Sequence, residues 1–249
     1  MSFRDLIRPF IPEKLRRLRH ALFVLNNATY NTDGLVTHHD ADFLQDPVFQ
    51  EAYRLGKNTG SWGLSEVPWR AYVACWAGNH ALRLEGDFVE CGVNRGGLSR
   101  AVIHYTKFQD QSNRRFYLMD TFAGFPADLK SVAAYLNRDE YGECFEDVVR
   151  EFSPFKNVVL VRGRIPETLS QVPSTKVAYL SIDMNVAEPE VAALEFFWDK
   201  LVTGAVVVLD DYGFGEPYHR QKTAMNELAA RLGVDVLLLP TGQGLILKS

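Results

Sequence analysis

Five short apolar runs constrain this chain more than any other feature. They are DFVEC (87–91), RFYLM (115–119), VVLVR (158–162), VAYLSI (177–182) and AVVVL (205–209). Helical spacing fills residues 96–108, 141–152, 188–201 and 219–232 among and after them. Runs this apolar belong to strands covered on both faces, and alternation with helices puts such strands in a mostly parallel sheet. Two last runs, 234–239 and 244–247, are too close for a crossover helix and are expected as an antiparallel edge hairpin. The expected fold class is therefore α/β, doubly wound. Ligands of such sheets bind beyond the carboxyl ends of the strands, so the strand ends are where chemistry is to be read.

The first run ends Glu90-Cys91-Gly92-Val93-Asn94-Arg95-Gly96-Gly97. A dinucleotide turn would read G-x-G-x-x-G, letting a pyrophosphate approach the helix N-terminus. Asn94 stands at the central glycine, which ranks an NAD-dependent oxidoreductase last among the readings. An acid followed by a tight glycine turn suits a nucleoside without phosphates, although such turns also want glycine for steric reasons. The second run leads into Asp120, placed either to hold ribose hydroxyls or to cap the next turn. After the third, Gly163 leaves backbone room beside a flat base, and Arg162 and Arg164 reach for an acidic ligand or solvate a rim. The fourth and fifth runs end at Asp183 and at Asp210-Asp211. Three carboxylates on neighbouring strand tips repel one another unless a cation shares them, and oxygen donors favour Mg²⁺, Ca²⁺ or Mn²⁺.

Composition narrows the field. With 249 residues, 47% of them hydrophobic and 23% charged, the chain has enough apolar material for one large domain with an elaborated end. A net charge of −4 gives no reason to expect nucleic acid as a partner. No apolar run is long enough to span a membrane, and Cys75, Cys91 and Cys144 have no disulfide or zinc spacing, so a cytoplasmic setting is expected. Residues 1–20 hold six basic side chains against Asp5 and Glu13, so this segment is about +4 and the remainder about −8. With Leu15, Leu18 and their apolar neighbours it reads as a helix that packs on protein, or as a peripheral membrane contact. Residues 40–58 and 66–84 read as two more helices, the second presenting Trp69, Tyr72, Val73, Trp76, Ala77 and Leu84. Expected segments are thus 1–27, basic and amphipathic; 28–85, a helical extension or lid; and 86–249, the core.

Taken in order, GDFVECGVNRGG, YLMDTFAGFP, VRGRIPETL, SIDMNVAEPEVAAL and GAVVVLDDYG resemble the macrocin O-methyltransferase (TylF) family. The resemblance runs over about residues 66–247. It implies a Rossmann-like class I methyltransferase core with a seven-stranded sheet, using S-adenosylmethionine and Mg²⁺ to methylate a hydroxyl of a sugar or glycosylated small molecule. It implies that Glu90, Cys91, Gly92, Val93 and Gly96 border the methionine end of the cofactor. Asp120 and Thr121 would lie at the ribose, Gly163 at the adenine and Asp183 nearby. It also implies Asp183, Asp210 and Asp211 as metal ligands, and a homo-oligomer.

One departure stands out. The family pattern has Asp-x-Asp where this chain reads Asp183-Met184-Asn185, and the second Asp is associated with deprotonating the substrate. An amide cannot accept a proton at neutral pH, so Asn185 can orient a substrate but cannot be its base. His219 and Glu188 are the candidate replacements, and Tyr212 and Tyr218 are candidates for shaping the acceptor pocket. Two alternatives are that water takes the proton from a metal-acidified hydroxyl, or that the fold binds cofactor with lost or altered catalysis.

Overall fold

A computed structural model of the chain describes residues 12–126, 128, 141–215 and 219–249. They fall into two compact units, Met1–Asp42 and Phe43–Ser249. The described part of the first unit is helix α1 (Glu13–Asn26) and an antiparallel hairpin of β1 (Tyr30–Thr32) and β2 (Leu35–Thr37). No residue of α1 is buried, and Leu15, Leu18, Leu22, Phe23 and Leu25 are all exposed. Residues 1–11 of the basic segment lie outside the described residues. Among those described, no helix is long and apolar enough to cross a membrane.

The second unit is built on a seven-stranded sheet. Its strands are β3 (Asp87–Cys91), β4 (Phe116–Asp120), β5 (Val158–Arg162), β6 (Val177–Ile182), β7 (Leu201–Leu209), β8 (Leu237–Leu238) and β9 (Gly244–Leu247). They lie in the order β5-β4-β3-β6-β7-β9-β8, with β3 to β7 parallel and the last two antiparallel. The chain walks outward from β3 to β5 and then returns to the other side of β3 with β6. That reversal opens the crevice in which a doubly wound sheet binds its ligand.

The helices follow the same logic. They are α2 (Pro47–Asn58), α3 (Pro68–Ala81), α4 (Gly97–Thr106), α5 (Phe145–Phe152), α6 (Ala187–Trp198) and α7 (His219–Leu232). Side chains alternate across the buried strands. Val89, Cys91, Leu180 and Ile182 join the core containing Leu194, Phe197, Met225 and Leu228, from α6 and α7. Phe88, Phe116 and Tyr179 point the other way and pack their rings with Phe108.

Several boundaries differ from the sequence reading, and three of them have a local reason. The helix expected over 40–58 starts at Pro47, where Asp46 Oδ1 accepts the Val48 N–H at 2.8 Å and proline occupies the first turn. The helix expected over 66–84 ends at Ala81, where the Arg114 guanidinium takes the carbonyls of Ala81 and Leu84 at 3.3 and 2.7 Å. Its buried face consists mainly of small residues, Ala71, Ala74, Cys75, Ala77, Gly78 and Ala81, and Trp76 is exposed. A side chain at Gly78 would run into Val102, so α3 and α4 pack closely only because this face is small. Strand β7 begins at Leu201 rather than 205, because its irregular first half pairs beside a register shift in β6.

Candidate active site

The carboxyl ends of β3, β4, β6 and β7 open into one cavity of about 310 Å³. Glu90 enters from β3, almost wholly buried, and accepts a hydrogen bond from the Ser99 hydroxyl of α4. Burial pushes its carboxyl up to about 8; the Ser99 hydroxyl opposes the rise, and the charges of Asp210 and Asp120 add to it. Such an acid holds its proton readily and releases it when a cation arrives.

Asp120 serves two purposes. Its Oδ2 accepts the N–H groups of Val93 and Asn94 at 2.7 and 2.8 Å, and its Oδ1 accepts the Phe122 N–H at 2.7 Å. It therefore pins the turn after β3 while its own edge lines the cavity. The capping expected from sequence is present, and the residue also borders the cavity. Thr121 lines the cavity as well, its hydroxyl donating to the Gly124 carbonyl at 2.7 Å.

On the other side of the crevice, single ligand atoms of Asp183, Asp210 and Asp211 all lie within 4.8 Å of one another. Asp210 and Asp211 are buried and Asp183 is partly covered. Burial first, then repulsion from Asp210 and Asp211, drives the Asp183 carboxyl well above the usual carboxylate range, with Arg70 working against the rise. Both Asp210 oxygens carry donors: Arg70 Nη1 lies 2.6 Å from Oδ2, and Gln243 Nε2 donates to Oδ1 at 2.8 Å.

The turn after Asp183 is held from below. Glu190, in the first turn of α6, accepts the Met184 N–H at 3.3 Å and bonds the Asn185 backbone as well. Its burial, more than the neighbouring Asp211 charge, pushes its carboxyl far up. Asn185 itself is buried, lines the cavity and adopts φ 59°, a left-handed conformation that asparagine tolerates better than most residues.

The structure thus brings Glu90, Gly92, Val93, Asp120, Thr121, Gly163, Asp183, Asn185, Asp210 and Asp211 to one cavity. Other expected site residues lie elsewhere. Cys91 points into the core, its sulfur 4.0 Å from that of Met119, and Gly96 caps α4 against the Phe152 ring. Glu188 and His219 are not among the described lining residues: Glu188, at the start of α6, and His219 are both exposed. Tyr212 turns its hydroxyl to Asn226 on α7 instead of toward an acceptor, and Tyr218 lies outside the described residues. Arg162 and Arg164 pair with Glu143 and Asp128 at the rim. Sequence reasoning missed Arg70 and Gln243 altogether. Arg70 left one signal, a charge in the first turn of an otherwise apolar helix. Gln243 left none.

The molecule is similar to several known proteins. It superposes on the O-methyltransferase NovP with TM-score 0.64 at 19% identity, covering 94% of this chain and 99% of that one. For the calicheamicin methyltransferase CalS11 the TM-score is 0.56 at 21% identity, over 84% and 94%. At these identities the likeness shows the fold. In sequence it is 29% identical over 138 residues to the 8-demethyl-8-(2,3-dimethoxy-alpha-L-rhamnosyl)-tetracenomycin-C 4'-O-methyltransferase of Streptomyces olivaceus, 51% of this chain and 53% of the relative. It is 26% identical over 160 residues to the demethyldecarbamoylnovobiocin O-methyltransferase of Streptomyces niveus, 60% of each. The aligned regions thus span little more than half the length of these relatives. The sequence pattern of the family described as Macrocin-O-methyltransferase (TylF) matches residues 73–232, from α3 to the end of α7. The chain belongs to the macrocin-O-methyltransferase (TylF) family.

Proposed function

We propose that this chain is an S-adenosylmethionine-dependent O-methyltransferase that methylates a hydroxyl of a sugar or glycosylated small molecule. One observation carries the reading. A nucleoside-type half, Glu90 and Asp120, and an acid cluster, Asp183, Asp210 and Asp211, face each other across a single cavity. The names of the relatives, one acting on a rhamnosyl-tetracenomycin and one on demethyldecarbamoylnovobiocin, support the substrate class. In this reading Glu90 receives the ammonium of the cofactor's methionine end, Asp120 the ribose hydroxyls, and the turn at Gly163 the adenine edge.

The cluster suits a divalent cation. All three donors are carboxylate oxygens, the set hard cations prefer, and the Arg70 guanidinium beside Asp210 supports a cluster that favours positive charge. Asp183, Asp210 and Asp211 would hold Mg²⁺, which supplies orientation and acidification of the acceptor hydroxyl when bound. Asn185 then positions that hydroxyl by hydrogen bonding. Glu188 and His219 lie off the described lining, so the proton is assigned to water in the open crevice. The transfer itself asks mostly for alignment from the protein.

Calorimetry with S-adenosylhomocysteine, followed by a methyl-transfer screen over sugar-bearing acceptors, tests the proposal. No binding near millimolar ligand would overturn it. Asn185 motivates a second reading, cofactor binding without turnover. That reading gains ground if S-adenosylhomocysteine binds and no acceptor is methylated, while Asn185→Asp switches transfer on. Affinity should also follow Glu90. The free protein holds the Glu90 proton up to a pH of about 8 and the ammonium of the ligand's amino-acid end prefers the carboxylate, so binding expels a proton. Affinity for S-adenosylhomocysteine is therefore expected to rise by up to about tenfold per pH unit from pH 6 to 8. Glu90→Gln should flatten that slope; an unchanged slope would assign the proton to another group.

A further inference from the structure

Arg70 occupies the acid cluster by construction. It sits in the first turn of α3, which begins at Pro68. Its guanidinium reaches Asp210 at 2.6 Å and lies 5.0 Å from the centre of the Phe214 ring. Its main-chain carbonyl accepts from Gln243 Nε2 at 3.3 Å, and the same nitrogen donates to Asp210 at 2.8 Å. Thr241 orients that amide, its hydroxyl donating to Gln243 Oε1 at 3.0 Å. The arginine is therefore aimed at the cluster from both its backbone and its side chain. It is also mostly covered, with 17% of its side chain exposed, and it lines the cavity.

A guanidinium held on Oδ2 of a buried carboxylate takes up part of its negative charge and repels a divalent ion brought to the same cluster. Each satisfies the same excess of negative charge. We infer that Arg70 and a divalent cation are alternative partners of Asp210, so that Arg70 keeps the aspartate cluster compensated without metal and holds its metal affinity down. For a divalent ion to take the Asp210 oxygen, Arg70 would have to give up that contact. This rests on the cation-binding reading of the cluster, and its test reads metal binding directly, without methyl transfer.

The test uses Mn²⁺ as the probe, on the full chain without cofactor or acceptor. Free Mn²⁺ is followed by electron paramagnetic resonance and binding is confirmed by calorimetry. Arg70→Met keeps a stem over Phe214 and removes the charge, and Arg70→Gln is the second variant should the first fold poorly. Arg164→Met removes a rim charge of the same cavity and serves as the control. The expected result is Mn²⁺ binding at least about tenfold tighter in the Arg70 variants and within about twofold of wild type in Arg164→Met. Metal-free Arg70→Met should also melt lower than wild type and recover on adding Mn²⁺. Unchanged or weaker binding in the Arg70 variants overturns the inference. Equal tightening in Arg164→Met also overturns it, because the effect would then come from the general field. If no form binds Mn²⁺ while S-adenosylhomocysteine binds normally, the inference fails and the methyltransferase proposal stands. If S-adenosylhomocysteine fails to bind, that proposal fails on its own evidence.

Discussion

Gly92→Ala is expected to cost about 3 kcal/mol or more of stability and to abolish binding of S-adenosylhomocysteine. Gly92 follows β3 with φ 88°, where a side chain strains the backbone, and a Cβ built there would fall onto the Asp183 carbonyl oxygen. Met184 would be only 2.8 Å away. Neither neighbour yields easily. The Asp183 N–H donates to the Cys91 carbonyl at 2.8 Å, and the Gly92 N–H donates to the Met119 carbonyl at 2.9 Å. Three strand ends are thus locked around a hydrogen atom. A methyl group there pushes β3 and β6 apart at the point where the turn after β3 and the aspartate cluster meet. Urea unfolding measures the effect, with Gly233→Ala as the reference. Gly233 also has positive φ, 69°, but nothing lies within 4 Å of its added Cβ, so it should lose only the αL strain of about 1–2 kcal/mol. Equal losses in the two variants would show that the crowding at Gly92 is relieved cheaply.

Asp183→Asn should make the protein more stable and nearly inactive at once. Asp183 carries a carboxyl raised far above its ordinary value by burial and by Asp210 and Asp211. The folded state therefore keeps a proton that the unfolded chain releases. Ionisation of Asp183 opposes folding, and the penalty grows as pH climbs above the ordinary aspartate value of about 4. An amide of nearly the same shape carries no such charge. The expected gain is on the order of 1 kcal/mol near neutrality, a few degrees in melting temperature, and larger at pH 8 than at pH 5. Under the proposed function methyl transfer should fall about 100-fold or more, since one of the three carboxylates that would hold the cation is lost. Cofactor affinity should change little, because Glu90 and Asp120 are untouched. A lower melting temperature in the variant would mean that Asp183 is ionised and well paired in the free protein. Stability and activity then pull in opposite directions at one residue, as expected where a site stores repulsion for use.

The sequence was most readable where the physics is local and abrupt. Strands buried on both faces are mostly apolar, so Glu90 near the end of β3, Asp120 at the end of β4, and Asp183 and Asp210 just past β6 and β7 announced themselves as polar residues closing oily runs. The parallel sheet followed from the alternation of strands and helices. Helix starts were less legible, because Asp46 and Pro47 set one of them by a cap that helical spacing cannot see. Periodicity also misjudged α3, where the large residues drew attention and the small ones carry the packing. Arg70 and Gln243 were illegible for a different reason. They lie 140 and 33 residues from the aspartate they hold, and only the closed sheet makes them neighbours. Glu190 is intermediate: its charge was visible, but its use as a support under the Asn185 turn depends on how α6 docks.

The amide of Gln243 gives the molecule a direction in time. It comes late in the sequence, between Thr241 and strand β9, yet it joins α3 to the tip of β7. During synthesis the parallel strands and the turn around Glu90 and Asp120 can gather first, since every part of them precedes β8 and β9. The acid corner cannot, because its clasp is made last. Until β9 slides in beside β7, Arg70 and Asp210 have no common anchor, and the contact that joins them spans 173 residues. A chain stopped short of Thr241 would therefore resemble a finished fold along most of its sheet while lacking the clasp on Arg70 and Asp210. Tags or fusions placed just after β9 press on the same clasp, whereas additions far from it do not.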